Sequence, residues 1–469
     1  MNATDLAYTP ATDLVASIRS KALSPVDVTR AVLERIEQVN PEINAFCTVT
    51  ADTALAAARA AEAAVMKGER LGPLHGVPVS IKDLALVKGV PAKFGSYVFE
   101  QRIGEIDAPF VRRLREAGAI LTGKTTTPEF GWKALGDSPL TGITRNPWNT
   151  AMTSGGSSAG AGAAAAAGLG PLHQGSDGAG SVRVPSAFCG IYGLKPTFGR
   201  VPMWPVSNTD SASHVGPMTR TVADAALMLA VMAGSDDWDR QSLDAPPADY
   251  VGRLRDGVRG LRVGWSLDLG CCRVDPEIGQ VARRAAEAFQ ELGATVEDAK
   301  VSLPDTREMI RLMWNAHYAG NYGAHLEKFR ARMDPGLVAA LEDGRRYSAE
   351  AYVDMRARKH AYCDAVRALF DTSDLLLTPT VSVAAFEVGR LNPAHFPQHA
   401  WDWFPWAGFS YPFNFTGQPA ATVPAGFTAS GMPVGLQIVG RRLADLQVLQ
   451  ASAAFEEARP WAAKRPTLG

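Results

Sequence analysis

Apolar residues fall at helical spacing after Ser24-Pro25-Val26-Asp27, with Val28, Ala31, Val32 and Ile36 on one face. The serine supplies an N-cap, the proline suits the first helical position and the aspartate puts an acid in the first turn, so a helix is predicted from residue 24 to about Val39. ADTALAAARAAEAAVMKG is alanine-dense and predicts a second helix ending at Gly68. VPVSI, short and β-branched, then reads as a strand with Lys82 just past its end. FVRRLREAG is an amphipathic helix stopped by Gly118, and AILT is the strand after it. Thr221 and Asp224 form a capping box before VADAALMLAVMAG. Asp275-Pro276-Glu277 opens IGQVARRAAEAFQELG, which precedes the strand-like ATVEDA. From about Pro304 to Phe370 the pattern is mostly helical. LLLTP, AATVPAGF and VGLQIVG read as buried strands, and LADLQVLQASAAFEEA as a last helix. Strands and helices alternate without a low-complexity linker, which predicts an α/β chain with one domain over residues 1–469. Within it lie N-terminal helices (about 1–70), a core (about 71–235), a helical and aromatic-loop region (about 300–415), and C-terminal strands with a helix (about 416–460).

Composition narrows the partners. The 469 residues are 46% hydrophobic and 20% charged, enough for an extensive core. Lys plus Arg at 47 against Asp plus Glu at 48 leaves a formal charge of -1, without the excess needed to hold a phosphate backbone or an anionic membrane. Neither nucleic acid nor a membrane is expected as a partner. The first twenty residues lack an export pattern and no run approaches 18 apolar residues, so a cytoplasmic location is expected. Five cysteines (Cys47, Cys189, Cys271, Cys272, Cys363) are scattered without C-x-x-C spacing and are expected to be reduced packing residues.

GAILTGKT, residues 118–125, satisfies the spacing of a phosphate-binding loop, but its context is reversed. A phosphate loop follows a strand and opens a helix; this one follows a helix and leads into a strand that ends at a proline. Lys124 is therefore expected to be a surface or loop lysine. H-E-x-x-H is missing and Pro397 separates His395 from His399, so a zinc site is not supported, and no α/β-hydrolase elbow is read either. None of the eight histidines stands out as a base.

What remains unusual is SGGSSAGAGAAAAAGLGPLHQGSDGAGSVRVPSAFCG, residues 154–190. A single GGSS turn is readily structural, as a cap and a close-packing device. Here a second tight turn, GSDGAGS, follows, in which Gly178, Ala179 and Gly180 let successive backbone N–H groups converge as a nest for a developing negative charge. Ser181 stands at the end of that nest. A hydroxyl nucleophile needs a base, and with histidine unpromising the candidate is a lysine kept neutral by burial.

GGSSAGAGAAAAAG and GSDGAGSVRVPSAFCGIYGLKP together resemble the signature of the amidase signature family, and LHGVPVSIKDL resembles its catalytic-lysine segment. The resemblance runs from the first predicted helix through NFTGQPAATVP and GLQIVG. It implies an α/β/α sandwich with a mixed central sheet and a Ser–Ser–Lys triad. Carried over by motif, Ser181 is the nucleophile, Ser157, which the family holds after a cis peptide bond, is the bridging serine, and Lys82 is the base. Backbone N–H groups of Gly178, Ala179, Gly180 and Ser181 would form the oxyanion hole. The family commonly has two glycines before the nucleophile where this chain has Ala179 and Gly180, which raises the question of a left-handed alanine. Asp177 and Arg183 read as braces of the turn. No metal or organic cofactor is required.

The substrate is read from HFPQHAWDWFPWAGFSYPFNF, residues 395–415, where Trp401, Trp403 and Trp406 join five phenylalanines and a tyrosine. Such a stretch is either core or the wall of a binding cavity. The resemblance places it near the family's substrate channel together with the EFGWK segment, making Phe130, Trp132, Ser154, Trp401 and Trp406 pocket candidates. The expected function is hydrolysis of the C–N bond of small apolar or aryl amides and anilides, extending to esters and carbamates, through an acyl-enzyme. The expected partner is a small-molecule substrate, and a homodimer is left open. Two alternatives are the amidase-like component of an aminoacyl-tRNA glutamine amidotransferase, which works inside a complex, and a non-catalytic binding protein of the same fold.

Overall fold

The computed structural model describes residues 2–207, 209–301 and 303–468. Eleven strands form one sheet: β1 (Phe46–Val49), β2 (Pro78–Lys82), β3 (Ile120–Thr125), β4 (Leu172–Asp177), β5 (Tyr192–Lys195), β6 (His214–Thr219), β7 (Arg262–Trp265), β8 (Thr295–Asp298), β9 (Leu375–Pro379), β10 (Ala420–Phe427) and β11 (Pro433–Gly440). Their spatial order is β1-β3-β2-β4-β6-β5-β10-β11-β9-β7-β8. β3, β2 and β4 run parallel, as do β9, β7 and β8, and the strands between these groups are antiparallel. The expected mixed sheet between helical layers is observed.

The local signals act as the sequence predicts. Ser24 Oγ accepts from the N–H groups of Val26 and Asp27 and starts the helix Pro25–Ile43. Gly68, at φ 71°, ends the helix Ala51–Lys67, and Thr221 Oγ caps Val222–Met232 by accepting from Asp224 N. The helix Ala159–Ala166 is buried all round and packs on β2, β3, β4 and β6. Only alanine and glycine permit so close an approach: a Cβ on Gly160 would lie 2.1 Å from the Ala45 carbonyl oxygen.

Two features position the site. β2 and β4 are parallel neighbours, so Lys82 and Asp177, their last residues, emerge at the same edge of the sheet. The helices Arg307–Tyr322, Pro335–Gly344 and Ala349–Thr372 pack with the 395–415 stretch into an aromatic core beside that edge. No helix among the described residues is long and apolar enough to cross a membrane.

Candidate active site

Lys82 is fully buried at the end of β2. Its Nζ lies 2.8 Å from Ser157 Oγ, 2.9 Å from Ser158 Oγ, 3.1 Å from Ser176 Oγ and 3.3 Å from the Ser176 carbonyl oxygen. All four partners are uncharged, so burial dominates and lowers the lysine pKa from 10.5 to about 7, against the opposing pull of Asp177. Ser157 follows a cis peptide bond from Gly156. Ser158 is hydrogen-bonded on every side: its N–H donates to the Ser181 carbonyl at 3.1 Å, and its hydroxyl donates to the Ser176 carbonyl at 3.1 Å. That backbone bond ties the Ser157 turn to the Ser181 turn.

The loop after β4 is held from behind. Asp177 accepts from Gly180 N at 2.7 Å and Val182 N at 3.2 Å, and pairs with Arg183 at 2.9 Å in a fully buried ion pair. Burial opposes ionisation of Asp177, but the Arg183 charge and hydrogen bonds outweigh it and keep the carboxyl well below the usual carboxylate range. Arg183 also donates to the Ser410 carbonyl, Gln437 Oε1 and Asn414 Oδ1 at 2.7–2.9 Å. Asn414 donates to the Asp177 carbonyl at 2.8 Å, and Ser410 Oγ to the Ala179 carbonyl at 2.7 Å. Asp177 and Arg183 thus brace the turn as expected.

The geometry sharpens two expectations about the nest. Gly180 carries the positive φ, 117°, and a Cβ there would sit 2.3 Å from Ser410 Oγ, whereas Ala179 is not left-handed and fits without strain. The N–H of Gly180 is committed to Asp177 and is not free for an oxyanion. Those of Gly178, Ala179 and Ser181 carry no hydrogen bond among the described residues.

Lys82, Ser157, Ser176, Gly178 and Ser181 line one cavity of about 240 Å³. Its apolar wall includes Phe94, Phe99, Phe130, Trp204, Trp314, Tyr318 and Tyr322. Phe130 stacks on Tyr322, with centroids 3.8 Å apart and planes within 6°, and meets Phe99 edge-on at 5.7 Å. Phe94 and Phe130 both hold left-handed backbone, φ 54° and 53°, and Phe130 N donates to the Phe94 carbonyl at 2.8 Å. Each such residue costs about 1–3 kcal/mol, a strain characteristic of functional sites.

Of the five pocket candidates only Phe130 lines this cavity. Trp406 is fully buried and stacks on Phe188 at 5.9 Å, on the far side of the turn's supports. Trp132 packs its ring on Gly336, and its carbonyl accepts from the indole N–H groups of Trp314 (2.8 Å) and Trp403 (3.1 Å). Trp401 is half-buried beside His399, and Ser154 Oγ is turned to the Thr144 carbonyl at 3.1 Å. These four lie outside the cavity lining. The 395–415 stretch serves as core, packed with the three helices, and it reaches the site through Ser410 and Asn414 behind the turn and through Trp403 and Phe404, which meet the wall residue Trp314 edge-on. Lys124 also departs from expectation: it is buried and pairs with Asp83 at 2.9 Å while donating to the Ala85 carbonyl at 2.9 Å, fixing the turn that follows Lys82. Residues that sequence reasoning missed include Ser158, Ser176, Ser410 and Asn414. The cavity aromatics had one available signal: Trp314, Tyr318 and Tyr322 repeat every four residues along one helical face.

The family model described as Amidase matches residues 27–449. An acylamidase of Rhodococcus erythropolis is 41% identical over 475 residues, covering 99% of this chain and 98% of its own. A glutamyl-tRNA(Gln) amidotransferase subunit of Geobacter metallireducens is 35% identical, with 95% and 96% covered. A solved bacterial aryl acylamidase of the amidase signature enzymes superposes with a TM-score of 0.91 at 32% identity, covering 98% of this chain and 99% of that one. A match across nearly the whole chain, in sequence and in fold, makes this protein a member of the amidase signature family and an amide-hydrolysing enzyme.

Proposed function

We propose that Lys82, Ser157 and Ser181 form a Ser–Ser–Lys triad that hydrolyses small aryl amides and anilides through an acyl-enzyme on Ser181. The observation that carries this reading is the 2.8 Å contact between Lys82 Nζ and Ser157 Oγ at the floor of an aromatic cavity that also contains Ser181. A neutral lysine has two N–H groups and one lone pair. Ser158 has already given its single proton to the Ser176 carbonyl and acts toward Lys82 as an acceptor. Ser157, the shortest contact, is therefore the hydroxyl whose proton the lone pair takes.

Ser157 draws the proton of Ser181 as it passes its own to Lys82, and Ser181 Oγ forms the bond to the substrate carbonyl carbon. The carbonyl oxygen becomes an oxyanion facing the free N–H groups of Gly178, Ala179 and Ser181, each donor contributing about 3 kcal/mol. Collapse breaks the C–N bond, and Ser157 delivers a proton to the departing nitrogen while Lys82 resupplies it. Water then repeats the sequence on the acyl-enzyme, releasing the acid. Aryl esters and small carbamates present the same carbonyl and are proposed as further substrates. The relative named an acylamidase supports amide cleavage, and the solved structure named an aryl acylamidase supports the aryl reading.

The test is turnover by the purified protein of acyl anilides, aryl esters, aryl carbamates, acetamide and glutamine, with both products of each followed. Anilides are expected to exceed acetamide and glutamine in kcat/KM. A preference for glutamine that appears only with partner proteins present would replace this reading with an amidotransferase one.

A further inference from the structure

Besides Lys82, the only charged side chain lining the cavity among the described residues is Arg102, and no Asp or Glu lines it. Arg102 is half-buried, with its guanidinium carbon 5.0 Å from the Phe94 ring centroid and 5.1 Å from that of Phe99. No carboxylate lies within ion-pair reach of it among the described residues. Glu100, two positions away, is paired with Arg332 at 3.3 Å. A run of neighbouring residues leads from the serines to this cation. A Cβ on Gly131 would sit 3.2 Å from Ser157 Oγ. Phe130 follows, then Phe99 edge-on to it at 5.7 Å, then Phe94 edge-on to Phe99 at 5.7 Å, with Arg102 over both outer rings.

We propose that Arg102 is a specificity-determining binding residue that receives a carboxylate at the far end of the substrate, so that the preferred substrates are aryl amides bearing an anionic group remote from the scissile bond. This rests on the amidase reading of the same cavity and adds the substrate class. The physical case has three parts. Two rings pack against the guanidinium and strip part of its water, which strengthens a charge-assisted hydrogen bond to an incoming anion. A planar fork with no acid paired to it among the described residues matches a carboxylate in two-point geometry. Aromatic rings line the same cavity as the fork and the serines, so an aryl ring packs among them while its amide meets Ser181 and its carboxylate meets Arg102.

The experiment uses the full-length protein with Arg102→Met and Arg102→Lys. Binding of phenylacetate is measured by calorimetry, and kcat/KM is measured for 4-acetamidophenylacetate and its neutral counterpart 4-ethylacetanilide. Wild type is expected to bind phenylacetate. In Arg102→Met that binding weakens about tenfold or more, the value of a charge-assisted hydrogen bond. The carboxylate-to-neutral ratio of kcat/KM falls by a similar factor, chiefly through KM, and Arg102→Lys lies between. If both anilides lose activity in parallel at an unchanged ratio, Arg102 merely braces Phe94 and Phe99 and the proposal is overturned. Equal phenylacetate affinity in wild type and Arg102→Met overturns it as well, even if anilides are cleaved. Wild type that cleaves neither anilide removes the aryl-anilide reading of the cavity, and the phenylacetate series still decides the role of Arg102.

Discussion

A lysine that acts as a base has to shed its proton near neutral pH, and an acid in contact would prevent that. Lys82 touches three hydroxyls and a carbonyl, while Asp177, the nearest acid by influence, is neutralised by Arg183. With the Lys82 pKa lowered to about 7 by burial, the neutral form grows as pH rises through that value. The rate profile is expected to show a rising limb in kcat/KM centred near pH 7, and Lys82→Met is expected to lose both the limb and most of the activity. An unaltered limb in the variant would assign the base elsewhere. Ser181→Ala is expected to abolish turnover of every substrate. Ser157→Ala should hurt anilides more than activated aryl esters, because an alkoxide or phenoxide leaves with less protonation than an amine. Equal losses on the two classes, read from kcat/KM, would remove Ser157 as the acid.

At the scale of elements, the aromatic residues divide by what packs on them. Trp406 stacks on Phe188 and meets Phe386 edge-on at 5.4 Å in the core behind the turn. Trp406→Ala is expected to lower stability by about 3–5 kcal/mol, with the anilide-to-acetamide ratio unchanged, as read from denaturant unfolding and paired kinetics. Phe130, on the cavity wall, behaves oppositely. Phe130→Leu keeps the bulk and loses the ring pairing, worth about 0.5–1.5 kcal/mol. The kcat/KM for aryl substrates should drop roughly two- to tenfold while acetamide is less affected. A loss shared evenly by acetamide would mean the ring supports the loop without touching substrate. The left-handed Phe94 and Phe130 show why these rings face inward: two turns joined by one backbone hydrogen bond aim both side chains into the same space.

Across the whole molecule, the site draws on segments that are far apart in the chain. β2 brings Lys82, the residues around 157 and 181 bring the serines, and Ser410, Asn414 and Gln437 hold the turn through Asp177 and Arg183. Burying Lys82 in this network has a consequence for folding. Its folded pKa, about 7, lies below its ordinary 10.5. Between those values the unfolded chain holds a proton that the folded one lacks, so the stabilising contribution is complete above 10.5 and is lost as pH falls toward 7. The stability of wild type minus that of Lys82→Met is therefore expected to rise with pH over this window, by at most about 1.4 kcal/mol per unit. Urea unfolding of both proteins at several pH values checks it, other titrations cancelling in the difference. A flat difference would mean Lys82 keeps its proton in the folded state.

Much of this was readable from local chemistry. Caps such as Ser24 and Thr221, helix-ending Gly68 and the β-branched run before Lys82 act within a few residues of themselves, so the chain alone determines those elements. The two glycine-serine turns are equally local: Ser181 stands out at the end of its nest without a structure, while Ser157 is singled out by resemblance to the family. Other strands did not announce themselves: β4 to β7 are four to six residues long, and LHQGSD, HVGPMT and RVGW carry no clear alternation because neighbouring strands, rather than pattern, hold them. Tertiary structure alone decided that Lys124 is buried against Asp83, that Trp132 and Trp406 are core, and that Tyr318, Tyr322 and Arg102 wall the cavity. An aromatic ring or a lysine has the same local signature in either setting. Whether it meets another side chain or an empty space depends on elements distant in sequence, and only packing supplies that information.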